Sequence, residues 1–146
     1  MSTYLRDTTL DDPQNLYDIW CVTLWDARAN LITKHGFPSG NDLILRLVTD
    51  SMKLCPPNPD FLQARDALLL ADRVYTGGGN QSEIWAAFAK RGMGWGASVP
   101  PNSSAHITGV VESFNPPPQG EVEFHYRQRC LLVSGYRGRW DNLHWL

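Results

Sequence analysis

The side chains best suited to chemistry are scattered along this chain. His35, His106, His125 and His144 lie far apart, and none has a second histidine four residues away, the spacing that sets two imidazoles on one helix face to grip a metal. Cys21, Cys55 and Cys130 show no metal-ligand spacing, and three thiols cannot all pair within one chain, so reduced or buried thiols are expected. Ser51, Ser82 and Ser113 occupy no nucleophile-elbow sequence, and Cys21 sits in an apolar helical pattern without a neighbouring base. Gly92-Met93-Gly94-Trp95-Gly96 has the glycine content of a phosphate cradle. It follows a helical pattern instead of joining a strand to a helix, and so reads as a helix C-cap. Asp26 with Arg28, and Arg65 with Asp66, are charged pairs whose ordinary roles are capping and ion pairing. No residue is therefore assigned a catalytic, cofactor-binding or metal-binding role.

The elements that would position these groups are mostly helical. Asp12-Pro13 is a good helix start, and Leu16, Trp20, Leu24, Ala27 and Leu31 recur at helical spacing until Gly36, which predicts a helix over Pro13 to His35. A second is expected from Asn41 to Leu54, with Ile44, Leu47, Val48, Ser51 and Leu54 on one face and Pro56-Pro57 as its stop. The third should start near Asn58-Pro59, present Phe61, Ala64, Leu68, Ala71 and Tyr75, and close at Thr76-Gly77-Gly78-Gly79. The fourth reads as a capping box, Asn80 with Glu83, burying Ile84, Trp85, Phe88 and Ala89 before Gly92. The fold class is thus mainly α, a four-helix cluster with short loops, followed by a short strand over Ile107 to Phe114 and an irregular tail.

Pro116-Pro117-Pro118 is the best boundary, which divides the chain into residues 1–115 and a basic, aromatic tail over 116–146. In that tail Val122, Phe124 and Tyr126 alternate with polar residues in the manner of a strand. Arg127, Arg129, Arg137 and Arg139, with Tyr126, Tyr136 and Trp140, raise the option of nucleic-acid contact, yet a solvated extension is the simpler reading. The 146 residues carry a net charge of -2 and 42% hydrophobic residues, a globular composition with no general attraction to nucleic acid or anionic lipid. No stretch is long and apolar enough to cross a membrane. Met1-Ser2-Thr3-Tyr4-Leu5-Arg6-Asp7 lacks the apolar core of a secretory signal, so a cytoplasmic location is expected of the chain as written.

Several phrases in the helical part occur together in order. They are Ile19-Trp20-Cys21-Val22-Thr23-Leu24-Trp25-Asp26-Ala27-Arg28-Ala29-Asn30-Leu31, Asp50-Ser51-Met52-Lys53-Leu54, Asn58-Pro59-Asp60-Phe61-Leu62-Gln63-Ala64-Arg65-Asp66-Ala67, Ala71-Asp72 and Thr76-Gly77-Gly78. Ile84-Trp85-Ala86-Ala87-Phe88-Ala89-Lys90-Arg91-Gly92 and Val110-Val111-Glu112-Ser113-Phe114 complete the series. Over residues 16–115 the chain resembles the C-terminal helical lobe of the fungalysin family of secreted zinc metallopeptidases, which are similar in fold to thermolysin. The resemblance implies peptide-bond hydrolysis by a zinc ion held by H-E-x-x-H and a downstream glutamate, and this sequence contains no H-E-x-x-H. It also implies a pattern like H-x-x-G-E-x-W at the start of the lobe, whose histidine stabilises the transition state. Here Gln14, Tyr17 and Asp18 stand at the histidine, glycine and glutamate before Trp20. Relatives often pair two cysteines at the positions of Pro57 and Ser82, so that disulfide is not expected.

The resemblance therefore implies a truncated or remnant metallopeptidase polypeptide, inactive alone, with no cofactor of its own although the family binds zinc. Its expected partner is the missing N-terminal lobe or another protein on an exposed apolar face, with no nucleic acid and no membrane. Two alternatives stand beside it: a standalone helical protein-binding module, and the C-terminal segment of a frameshifted secreted zinc endopeptidase, which predicts an H-E-x-x-H frame directly upstream.

Overall fold

The computed structural model describes residues 13–99 and 109–118, the first four by their backbone alone. Four helices follow in order, α1 (Pro13–His35), α2 (Ser39–Leu54), α3 (Phe61–Thr76) and α4 (Gln81–Lys90). α2 packs most extensively on α3, α1 lies against both α2 and α4, and α3 meets α4. The architecture is mainly α, and the described residues include no named strand.

Periodicity explains the core. Ile19, Ala27 and Leu31 of α1, Ile44 and Leu47 of α2, Leu62, Leu68 and Leu69 of α3, and Ile84, Trp85 and Phe88 of α4 are buried together. Trp20 stacks parallel to Phe61 with ring centroids 6.0 Å apart and meets Phe88 at 5.7 Å, joining three helices at one aromatic junction. Thr23 is buried on α1 because its hydroxyl donates back to the Ile19 carbonyl at 2.8 Å. Two glycines are required by geometry. A Cβ on Gly40 would lie 2.5 Å from the Leu31 carbonyl oxygen, so the α1–α2 hairpin closes only without one. Gly77 ends α3 in the left-handed region at φ 73°, its N–H donating to the Arg73 carbonyl.

The helix expected over Pro13 to His35 is found with those bounds. α2 begins earlier than expected, at Ser39, and Leu54, expected on its inner face, is exposed. The Asn58-Pro59 start of α3 is corrected: Asp60 is the cap, accepting from the Gln63 N–H at 2.7 Å while the Gln63 side chain accepts from the Asp60 N–H at 2.9 Å. Asn58 instead takes a left-handed turn at φ 53°. Tyr75, expected inward, is exposed under the Arg46 guanidinium, which lies 4.2 Å from its ring centre and donates to its hydroxyl. The Asn80–Glu83 capping box of α4 is not formed either, because the Asn80 side chain points to other partners and Glu83 bonds Lys34.

The strand expected over Ile107 to Phe114 reduces, within the described residues, to two isolated bridges, Met93 with Ser113 and Ser98 with Val111. The chain after α4 is pinned there: Gly94 N–H donates to the Ser113 carbonyl at 2.7 Å and Ser113 N–H returns to the Gly92 carbonyl at 2.8 Å. Asp12, Ile107 and the tail strand of Val122, Phe124 and Tyr126 lie outside the described residues, as do Arg127, Arg129, Arg137, Arg139, Tyr136 and Trp140.

Candidate functional site

The first half of α1 turns an apolar face to solvent. Tyr17 is 71% exposed, Trp25 62% and Val22 43%, and Cys21 is exposed between them. Spacings of four residues put Tyr17, Cys21 and Trp25 on one side of the helix, with Val22 beside them. The Arg28 guanidinium lies 4.8 Å from the Trp25 ring centre while its Nε donates to Asn41 Oδ1 at 2.8 Å, which fixes the indole at the edge of the α1–α2 pair. Asp18 is exposed on the same stretch, and the Gln14 side chain lies outside the described residues. Cys21, expected within an apolar helix pattern, is thus outward-facing.

The polar chemistry lies on the other side of the core. Asp72 is fully buried at the α3–α4 corner and accepts from Thr76 Oγ1 at 2.7 Å, Asn80 Nδ2 at 2.8 Å, the Asn80 N–H at 3.1 Å and Gln81 Nε2 at 2.9 Å. His35, at the end of α1, meets Asn80 Oδ1 at 2.6 Å, so this network ties three helix ends together. Arg65 is also fully buried. Its Nε and Nη2 clasp Asp66 Oδ1 at 2.9 and 2.7 Å, and its Nη1 donates to the carbonyls of Met93 and Gly94 at 2.7 and 3.0 Å. The same guanidinium lies 4.6 Å from the Trp85 ring centre. Arg65 therefore secures the glycine-containing exit after α4 by its carbonyls, the opposite polarity from an anion cradle.

Asp26 pairs with Lys90 at 2.8 Å and Arg91 at 2.7 Å, across from α4, whereas its expected partner Arg28 is engaged with Asn41 and Trp25. Partial burial pushes the Asp26 carboxyl up, but the bonds from Lys90 and Arg91 outweigh it and hold the group below its ordinary value. Burial pushes the Cys55 thiol up, away from the reactive thiolate. A groove of about 550 Å³ lies between α4 and Phe114, Pro116 and Pro117, floored by Trp85, Ala86 and Ala89; Lys90, the ionisable residue lining it, is bonded to Asp26.

Of the residues singled out by type, only Arg65 and Asp66 pair as expected, and their bond is internal. The Asp72–Asn80–His35 network was not anticipated. A signal for it existed: Asp72 follows Leu68 and Leu69 at helical spacing, a carboxylate on an inward stripe that must find donors.

This geometry is a helical cluster with a bonded interior and an apolar face on the outer side of α1. The profile of the fungalysin metallopeptidase (M36) family matches residues 2–97. The chain belongs to that family. An extracellular metalloproteinase MEP of Pyricularia oryzae is 43% identical over 109 residues, covering 65% of this chain and 17% of the relative. An extracellular metalloproteinase MEP of Neosartorya fischeri is 44% identical over 123 residues, 75% of this chain and 19% of the relative. An extracellular metalloproteinase 1 of Trichophyton rubrum is 40% identical over 120 residues, 73% and 19% respectively. The fungalysin-like chain thus spans less than a fifth of the length of these relatives.

The zinc that the family implies does not fit the donors described. No three His, Cys, Asp or Glu side chains converge among the described residues, His35 is engaged by Asn80, and Cys21 faces outward alone. His106, His125, His144 and Cys130 lie outside the described residues. No described helix is long and apolar enough to cross a membrane.

Proposed function

We propose that this chain works as the C-terminal helical lobe of a fungalysin-type peptidase, one wall of a cleft, and hydrolyses no peptide by itself. Residues 1–115 form the lobe on this reading, and 116–146 a separate basic, aromatic tail. The observation that carries it is the outward face of α1. Tyr17, Val22 and Trp25 stand exposed beside the position where the family pattern H-x-x-G-E-x-W reads Gln14, Tyr17 and Asp18 ahead of Trp20. Such a face is built to be covered, and the residues that would start the chemistry are replaced.

The partner is the remainder of a peptidase polypeptide, in the same chain or another, with zinc supplied from that side; nucleic acid and membrane are not partners. A cytoplasmic location belongs to the same proposal, against relatives named as extracellular.

Purified full chain incubated with casein and added zinc should release no peptides. Proteolysis that requires zinc and stops with a chelator overturns the reading. The exposed stripe also favours a second reading, a helical binding module, which predicts a stable complex in light scattering without any peptidase half present.

A further inference from the structure

Two asparagines in the chain are followed two places on by serine, Asn80-Gln81-Ser82 and Asn102-Ser103-Ser104, the pattern that a glycan transferase reads. Such acceptors belong on surface loops, and Asn80 is only 2% exposed. Its amide is used up internally: Nδ2 donates to Asp72 Oδ1 at 2.8 Å and reaches Thr76 Oγ1 at 3.4 Å, and Oδ1 meets His35 Nε2 at 2.6 Å.

We propose that Asn80 is a glycan acceptor whose modification and whose folding exclude each other. The donor is a lipid pyrophosphate-linked oligosaccharide, supplied by the host compartment. The bond from Nδ2 to the sugar C1 forms as the C1–O bond to the pyrophosphate breaks; the amide loses one proton and the pyrophosphate leaves with the electron pair. Transfer acts on the unfolded segment, where the Asn80 amide is open. Afterwards one Nδ2 hydrogen is gone and a sugar ring occupies its direction, so Asp72 or Thr76 loses its donor and the three helix ends cannot close around a buried bulk. In the folded chain the amide is sealed, and Ser82 is exposed with its hydroxyl bonded to Glu83 Oε2 at 2.9 Å. Ser82 thus completes the acceptor while contributing nothing to the buried network. The native state is reached only where transfer does not meet the nascent chain.

The test fuses a secretory leader to the full chain in a glycosylating eukaryotic host and maps tryptic peptides. Residues 74–90 and 92–127 separate the two acceptors, so Asn80 is read independently of Asn102. Peptide 74–90 should carry a glycan removable by N-glycosidase in the wild type and in Ser82→Thr, and none in Ser82→Ala. Folded yield should rise about tenfold or more in Ser82→Ala, the order of change expected when a buried acceptor keeps its donor. The same three chains made in a bacterial cytosol should be equally helical, which shows that the substitutions themselves are tolerated. Two results overturn the proposal: wild-type peptide 74–90 secreted unmodified, or Asn80-glycosylated chain with the melting behaviour of the unmodified one.

Discussion

The α3–α4 corner and the outward face of α1 are opposite in kind. At the corner, and at Arg65 where α3 meets the exit of α4, every polar group on Asp72 and Arg65 is answered from within the chain, by Thr76, Asn80, Gln81, Asp66 and the carbonyls of Met93 and Gly94. On α1, Tyr17, Val22 and Trp25 present large apolar surface to water. The corner is complete in itself, whereas the α1 face is, on the proposed reading, the surface that meets a partner. On the proposed reading, the interior of the lobe is kept and the outer face of α1 is the side that meets the rest of a peptidase.

The contrast breaks first at Arg65. Arg65→Ala should destabilise the chain by about 3–5 kcal/mol, the usual effect of removing one partner of a buried charge cluster. Asp66 and the carbonyls of Met93 and Gly94 would lose the bonds from this guanidinium, and the Trp85 face its cation. Urea unfolding followed by helix signal measures this. A loss under about 1 kcal/mol would mean that the Arg65 cluster is ordinary surface chemistry.

Much of the fold was legible because it rests on period. Ala27 and Leu31 are buried where a 3.6-residue repeat puts them, and Gly36 and Gly77 stop helices as expected. What was not legible depends on neighbours distant in sequence. Asp26 looked toward Arg28, two residues away, but bonds Lys90 and Arg91 more than sixty positions on, and nothing local to Asp26 records that. Asn80 has every mark of an N-cap, yet its side chain turns to Asp72 and His35, because a buried carboxylate eight residues earlier attracts a donor more strongly than a helix end open to water. Tyr75 and Leu54 continue an inward repeat into the last turns of their helices, where they stand 48% and 42% exposed and Tyr75 is met only at its ring face and hydroxyl by Arg46 among the described contacts. On α1 the apolar repeat runs round to the outer side, and only the structure separates the stripe that is covered from the stripe that is not.

A smaller effect is expected at Asp26, which links the two regions by joining α1 to the end of α4. Its carboxyl titrates below the ordinary value of 3.8 in the folded chain. Its contribution is therefore present above that pH and is lost as the pH falls through the folded value, when the unfolded chain already holds its proton more tightly. Asp26→Asn should lower stability at neutral pH by under about 1 kcal/mol, as partly exposed pairs do. It should also flatten the stability profile below about pH 4, where a carboxylate begins to protonate. Parallel urea titrations across that range compare the two chains, and an unchanged acid slope would place the folded Asp26 carboxyl outside the ion pair.

The smallest effect on folding is expected on the exposed apolar face of α1. Tyr17→Gln with Trp25→Gln removes two aromatic rings that are 71% and 62% exposed, so little buried area is lost and stability should stay within about 0.5 kcal/mol of the parent. The loss of the Arg28–Trp25 contact falls inside that margin, being an exposed cation–π pair. What should change is behaviour toward other surfaces: binding of a hydrophobic dye, and any concentration-dependent association in light scattering, should both fall. Unfolding of the double variant would show that these rings serve the interior after all. A variant that folds as before but no longer binds dye shows that the apolar character of α1 does nothing for this chain's own stability and is there to meet a partner.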